Sequence, residues 1–229
     1  MLSEIFKLFW KTVERKDARR INSQTPPTEI EQFCDIQYID DGLWQHRLDV
    51  YSKSGKLSHR PVIIDIHGGG WMYGTKEINK NYCLVLAQND YVVVNINYRL
   101  APDFSVADQL RDCFFAFKWV STNIEKYGGD LNNVFVTGDS AGGFLAAYSA
   151  LLNSSEKLRK IFGVTESGLE FRACGLTSPV CFMNTHTFQD VYYSRVKGKE
   201  FSESTLRGFE NFDAVLNKGS MPPTFLVTS

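Results

Sequence analysis

Short apolar segments separated by stretches with helical periodicity constrain the fold of this chain most. Val62–Ile66 and Tyr91–Ile96 are rich in β-branched residues. Val134–Thr137 and Phe171–Thr177 continue the series, and a helical pattern at Ser105–Tyr127 lies in its middle. Strands that are buried on both faces have nearly continuous apolar sequences. The alternation therefore predicts an α/β fold whose central sheet is mostly parallel and carries helices on both faces.

Further elements are predicted before this series. Two alternating runs, Phe33–Ile39 and Trp44–Tyr51, enclose a turn that contains Gly42 and predict an antiparallel hairpin. Apolar residues at helical spacing in Met1–Val13 predict an amphipathic helix packed on the body of the protein, with a membrane-surface helix as the alternative. The polar segment Asp17–Glu29 separates this helix from the hairpin.

The second half of the chain predicts the same kind of architecture. Ala141–Leu152 has the pattern of a helix, and the aromatic-rich stretch Met183–Asn217 is interpreted as helices inserted between strands. Thr224–Thr228 is one more apolar strand. We find no segment with the roughly 18 apolar residues of a membrane-spanning helix, so no stable membrane anchor is expected.

Charge and cysteine content exclude several classes of protein. With 25 Lys and Arg against 26 Asp and Glu, the net charge is -1, which argues against nucleic acid as a partner. The 5 cysteines are an odd number without a C-x-x-C pair. They fit neither a zinc site nor a disulfide framework, so buried thiols in the cytoplasm are expected. No His, Cys and Asp cluster has the spacing of metal ligands, and neither metal nor cofactor is expected.

One motif carries a candidate nucleophile. The segment Gly138–Gly143, which reads GDSAGG, matches G-x-S-x-G between a predicted strand and a predicted helix. A nucleophile on such a tight turn is held exposed, and neighbouring glycines leave room for the strained backbone. The pattern predicts Ser140 as the nucleophile, with Gly138, Asp139 and Gly142 supporting the turn. The alternative is that Ser140 only caps the helix.

A second glycine-rich segment, His67–Trp71 with the sequence HGGGW, directly follows the strand Val62–Ile66. Residues without side chains let backbone N–H groups point into a concavity, as a developing oxyanion requires. The N–H of Ala141, at the positive end of its helix, is the matching donor. A flexible loop or a phosphate cradle is the alternative, but no Gly-Lys-Ser/Thr follows.

With Tyr98–Asp103, which reads YRLAPD, these motifs make the chain resemble the hormone-sensitive-lipase-like esterases of the α/β-hydrolase fold. The resemblance extends from about Phe33 to the end of the sequence. It implies a single α/β-hydrolase domain over residues 1–229, with cap elements at about 1–31 and 183–217.

The resemblance also implies a role for each residue of the two motifs. Ser140 is the acyl-accepting nucleophile, and the N–H groups of Gly69, Gly70 and Ala141 line the oxyanion hole. Gly68 is needed for the turn, and His67 is interpreted as holding the loop by hydrogen bonds. The implied partner is a small-molecule ester.

The same family carries an acid and a general-base histidine beyond the strand that Thr224–Thr228 resembles. The sequence contains neither, and we expect a truncated chain that lacks the last strand and helix and is nearly inert as an esterase. His46 and His59 are predicted to lie at the surface. His186, with Asp190 one helical turn later, is the remaining candidate for a base.

Two other functions stay open at this stage. The same fold can form a ligand-binding pseudoenzyme that keeps the pocket without turnover. An amidase or deacetylase would use the same chemistry on another substrate. The apolar strand at the end of the sheet also predicts an exposed edge through which a homo-oligomer can form.

Overall fold

The computed structural model describes residues 2–55, 59–183, 189–203 and 206–228, and within them seven strands form one sheet. The strands are β1 (Ile30–Gln37), β2 (Arg47–Lys53), β3 (Arg60–Ile66), β4 (Val92–Ile96), β5 (Gly129–Asp139), β6 (Phe171–Thr177) and β7 (Thr224–Val227). The helices are α1 (Leu2–Asn22), α2 (Lys80–Gln88), α3 (Val106–Asn123), α4 (Ala141–Ser154), α5 (Glu156–Phe162), α6 (Gln189–Glu203) and α7 (Phe212–Leu216). Short 3₁₀ helices lie at Lys76–Ile78 and Ile124–Tyr127.

The strand order β1-β2-β4-β3-β5-β6-β7 combines a hairpin with a parallel sheet. β2 is antiparallel to both β1 and β4, whereas the five strands β4-β3-β5-β6-β7 are parallel to one another. The predicted hairpin and mostly parallel sheet are confirmed. Ile66 of β3 lies opposite Gly138 of β5, so the carboxyl ends of these strands place the two glycine-rich motifs side by side. Ligands of open α/β sheets bind at such ends.

Both faces of the sheet are covered, as predicted. Val92 and Val94 point into the larger core, together with buried residues of α3 and α4. Val93, between them, belongs to a smaller core with Cys83 and Leu84 of α2. Because side chains alternate across a strand, α2 lies on the opposite face from α3 and α4.

The helix that follows Ser140 is the most deeply embedded. Every residue of α4 from Ala141 to Leu152 is buried, which suits its almost entirely apolar sequence. The neighbouring helix α3 starts at a capping box, in which Ser105 and Asp108 each accept the other's backbone N–H. It is followed by a 3₁₀ turn that ends at Gly128 in the left-handed conformation. These caps and this burial hold the serine turn on a rigid base.

The N-terminal helix differs from the prediction in length. It continues to Asn22, through residues interpreted as part of a polar linker. Arg20 explains the extension, because it contacts Asp17 at 3.3 Å within the helix and donates to the carbonyl of Ile78 at 3.2 Å. Phe9, one of the apolar residues in this predicted amphipathic helix, is 56% exposed. None of the helices among the described residues is long and apolar enough to cross a bilayer.

The structure differs from the predictions in three further respects. The short helix α5, capped by Ser155, was not predicted, because seven residues carry too little periodicity to be recognised. Cys34 is an exposed thiol on the edge strand β1, although buried thiols are expected. The strand β1 also starts at Ile30, before the predicted start at Phe33.

His46 is buried and does not lie at the surface as predicted, being only 2% exposed. Its Nδ1 lies 2.7 Å from an oxygen of Asp41, and its Nε2 lies 3.2 Å from an oxygen of Asp112. The side chain of Asp112 is fully buried and also accepts two hydrogen bonds from the guanidinium of Arg99, through Nε and Nη2. This charged cluster ties the start of β2 to α3 and to the segment after β4.

We predict that the stability of the protein falls as the pH rises through the pKa of His46. Burial lowers this pKa, but the contacts with Asp112 and Asp41 outweigh burial and raise it above the usual value. A raised pKa gives stability that is fully present below the unfolded value of about 6.5 and is lost above the folded one. Urea denaturation between pH 6 and pH 9 should show this decrease in the free energy of unfolding. His46→Gln should reduce the slope, and His59→Gln, at an exposed position, should not.

Candidate active site

Ser140 occupies the turn between β5 and α4 in a conformation that few residues adopt. Its φ and ψ are 50° and −114°, and a positive φ at a residue with a side chain is strained. Backbone hydrogen bonds stabilise this strained conformation: the N–H of Ser140 donates to the carbonyl of Thr177, and its own carbonyl accepts from the N–H groups of Phe144 and Val180. Ser140 is half-buried. Such a turn presents the residue at the carboxyl end of the sheet.

Two glycines make this turn possible by close approach. A Cβ on Gly142 would lie 2.0 Å from the carbonyl oxygen of Ile66 and 2.5 Å from that of His67. A Cβ on Gly138 would lie 2.4 Å from the carbonyl oxygen of Gly142. Only residues without side chains let α4 start so close to the end of β3.

Asp139 joins the serine turn to the HGGGW loop. One of its carboxylate oxygens accepts the N–H of Gly68 at 3.0 Å and the side-chain amide of Asn79 at 2.9 Å. Asn79 also donates to the buried carboxyl group of Asp65 at 3.0 Å. Burial, together with the nearby Asp139, raises the pKa of Asp65 to about 7. The loop is thus fixed against the turn by a chain of partly buried polar contacts.

His67 is buried beneath the loop. Its Nδ1 lies 2.7 Å from the carbonyl oxygen of Gly68, and its ring stacks on Tyr98 with the centroids 4.4 Å apart. Burial lowers the pKa of His67 to about 4, so the ring is neutral at pH 7. The tautomer that fits a carbonyl neighbour carries its proton on Nδ1.

The loop backbone turns sharply at Gly69 and Gly70, with φ values of 120° and 57°. The N–H of Tyr73 donates to the carbonyl of Gly69 at 3.0 Å, which closes the turn. A Cβ on Gly69 would lie 2.0 Å from the carbonyl oxygen of Tyr73. The left-handed backbone and this close approach both require glycine.

Ser140 lies in one cavity with the glycine loop. The cavity has a volume of about 340 Å³, and Gly68, Gly69, Gly70 and Asp139 line it together with Ser140. Ala141 is the first residue of α4, so its N–H has no acceptor within the helix and lies at the positive end of the helix dipole. The site therefore combines a half-buried serine that lines the cavity with backbone groups suited to a negative charge.

Several residues of this site carry no recognisable motif. Trp10 of α1 and Tyr73 also line the cavity, as does Asn79. Tyr192 of α6 donates a hydrogen bond to the carbonyl of Gly70. The sequence signal that points to Trp10 and Tyr192 as residues near the site is the aromatic content of the two predicted cap segments.

The structure does not bring a described histidine into this cavity. His46, His59 and His67 are described, and none of them lines it. His186, the remaining candidate for a base, lies outside the described residues. Within the described part of the chain, no group of three or more His, Cys, Asp and Glu residues is arranged to hold a metal ion.

Comparisons with known proteins agree with the observed fold. The family described as BD-FAE matches residues 48–191. The chain is 28% identical over 192 residues to isoprenylcysteine alpha-carbonyl methylesterase ICME from Arabidopsis thaliana, covering 80% of this chain and 45% of that protein. It is 46% identical over 130 residues to arylacetamide deacetylase from Oryctolagus cuniculus, covering 54% of this chain and 32% of that protein. The chain therefore spans less than half the length of each of these relatives.

A solved structure extends the similarity to nearly the whole chain. Esterase B from Lactobacillus rhamnosis, inhibited by a tributyrin phosphonate, superposes with a TM-score of 0.91 at 30% sequence identity. The match covers 98% of this chain and 73% of that one. The fold described above is thus the α/β-hydrolase fold, as the two motifs predicted.

Proposed function

Because the chain belongs to the BD-FAE family of α/β-hydrolase esterases, we propose that it provides the nucleophile and oxyanion hole of a serine ester hydrolase. One observation carries the proposal. Ser140, held at a positive φ, lines the same cavity as Gly68, Gly69 and Gly70. A helix cap would need neither this backbone strain nor the neighbouring glycine loop.

The proposed reaction has two steps. The Ser140 oxygen bonds to the acyl carbon, the bond from that carbon to the alcohol oxygen breaks, and the hydroxyl proton leaves with the alcohol. Water then attacks the acyl-serine and restores the hydroxyl as the acid departs. In both steps the N–H groups of Gly69, Gly70 and Ala141 stabilise the negative carbonyl oxygen. A base has to carry the proton, and His67 is unsuited because it is buried, weakly basic and bonded to the loop.

Small acyl esters are the proposed substrates. Ligand cavities range from about 300 to 1,000 Å³, and the cavity at Ser140, at about 340 Å³, is near the lower end. The names of the relatives, a methylesterase and an esterase inhibited by a tributyrin phosphonate, describe proteins that act on esters. We infer no cofactor, since the hydroxyl and the backbone donors supply the acyl-transfer chemistry.

Labelling with a fluorophosphonate tests this proposal. In the whole protein, where a base is available, we expect one phosphonyl adduct per chain, located at Ser140 by peptide mass spectrometry and absent from Ser140→Ala. Ser121→Ala, at a serine whose hydroxyl donates to Lys118 in α3, is the matched control and should label like the wild type. Labelling that persists in Ser140→Ala would show that this hydroxyl is not the nucleophile.

Two alternatives make different predictions in the same assay. Similarity to arylacetamide deacetylase favours an amide substrate, so the whole protein should cleave aryl amides faster than matched esters if this alternative is right. The absence of a described histidine from the cavity favours a ligand-binding pseudoenzyme. That alternative predicts tight binding of a small molecule without labelling of Ser140.

We also propose a cytoplasmic location and contact between copies of the chain. All 5 cysteines are free thiols, which suits a reducing compartment. At the sheet edge, β7 exposes 73% of Phe225 and 56% of Leu226. An apolar edge strand pairs readily with another strand, so a homo-oligomer through β7 is the proposed partner contact.

A further inference from the structure

A second, larger cleft adjoins the cavity of Ser140. It has a volume of about 470 Å³, and Trp10 and Tyr73 belong to the lining of both spaces. Beyond this pair the two linings differ, because Ser140 and the glycine loop line only the smaller one. The pair of aromatic rings therefore stands between the nucleophile and the second cleft.

Contacts on several sides fix the two rings. They stack with centroids 5.3 Å apart and planes 14° apart. The Tyr73 hydroxyl donates to Asp17 of α1 at 3.4 Å, and its backbone N–H is bonded to Gly69. Trp10 packs so closely on the loop that a Cβ on Gly70 would lie 2.5 Å from its ring. The rings form a rigid wall that is continuous with the oxyanion loop.

The second cleft is suited to an uncharged chain. Its lining includes the apolar side chains of Phe6, Met72, Ala101 and Pro102. Its charged lining residues are two cations and two anions, namely Lys11, Arg195, Glu14 and Asp103. Since these charges balance, the cleft has no formal excess of charge with which to attract an ionic ligand.

We propose that the stacked pair of Trp10 and Tyr73 determines the chain length of the substrate, by closing the Ser140 cavity against the second cleft. The inference rests on the proposed function, because it assigns the acyl chain to the space beside Ser140. With the wall in place, the cavity accepts short acyl chains. With either ring removed, a longer alkyl chain continues into the second cleft and buries more apolar surface.

Binding of unreactive substrate analogues tests the wall without requiring catalysis. Methyl ketones with a butyl and with an octyl chain have a carbonyl group in the position of the ester carbonyl but lack the alkoxy leaving group. Isothermal titration calorimetry on the 229-residue chain should show that the wild type binds the octyl ketone no more tightly than the butyl ketone. In Trp10→Ala the octyl-to-butyl affinity ratio should rise about tenfold, since one or two newly buried methylenes produce such a change.

Other variants separate the wall from damage to α1. Tyr73→Ala opens the same wall from the sheet side and should raise the ratio as Trp10→Ala does, whereas Trp10→Phe keeps a ring and should restore the wild-type ratio. Leu8→Ala removes an apolar side chain that is 68% exposed on the same helix, and should leave the ratio unchanged. The proposed wall is contradicted if the octyl-to-butyl affinity ratio is unchanged in both Trp10→Ala and Tyr73→Ala. It is also contradicted if the wild type already binds the octyl ketone more tightly than the butyl ketone. If fluorophosphonate does not label the wild type but the octyl-to-butyl affinity ratios change as expected, only the proposed function is overturned.

Discussion

Replacing Gly69, a proposed oxyanion donor, by alanine should slow the phosphonylation of Ser140 by about 10²–10³-fold, the usual effect of losing one such donor. The new Cβ would lie 2.0 Å from the carbonyl oxygen of Tyr73, at a residue whose φ is 120°. The loop has to move to relieve this contact, and the N–H groups of Gly69 and Gly70 move with it. The measurement is the second-order rate constant for adduct formation at Ser140, compared with the wild type.

Gly55→Ala is the matched control for backbone strain. Gly55 has a φ of 121°, almost the same as Gly69, but a Cβ there would meet no atom within 4 Å. It should stay within about twofold of the wild-type labelling rate, as substitutions away from a site usually do. Equal slowing in both variants would assign the effect to general strain, and an unaffected Gly69→Ala would exclude its N–H from the oxyanion hole.

The fold could be predicted because its signals are local. The segments Val62–Ile66 and Tyr91–Ile96 each predict a buried strand from their own residues. The helix after Ser105 has both its N-cap and its apolar periodicity within one segment. The meeting of the two glycine motifs also follows from local order, because parallel strands align their carboxyl ends at one edge of the sheet.

The residues that complete the site could not be predicted in this way, because their roles depend on contacts between distant segments. Asn79 donates a hydrogen bond to Asp139, 60 positions later. No motif in the sequence marks Asn79 for this contact. Trp10 belongs to an ordinary amphipathic pattern until α1 is docked on Tyr73. His46 is a similar case: a polar residue beside a turn is expected at the surface, and its burial depends on contacts with Asp41 and with the distant, buried Asp112.

Asp112→Asn should lower the free energy of unfolding by about 3–5 kcal/mol, the usual effect of removing one partner from a buried ion pair. The fully buried carboxylate receives two hydrogen bonds from the guanidinium of Arg99 and lies 3.2 Å from His46. Asparagine would remove the carboxylate that both groups share, leaving Asp41 beside His46 and Asp108 at 3.8 Å from Arg99, and would set an amide donor against donors. Since native domains are stable by only about 5–15 kcal/mol, the loss should be plain in urea denaturation at pH 6.

A surface ion pair provides the contrast. Glu170 lies 3.5 Å from Arg172, with the two side chains 81% and 50% exposed. Glu170→Gln should change the free energy of unfolding by less than about 1 kcal/mol, because solvent screens such pairs. Asp112→Asn should also flatten the decrease in stability above pH 6, because the Asp112 carboxylate contributes to the raised pKa of His46. Retention of the full pH dependence in that variant would mean that Asp41 alone holds the His46 charge and that the cluster is not one unit.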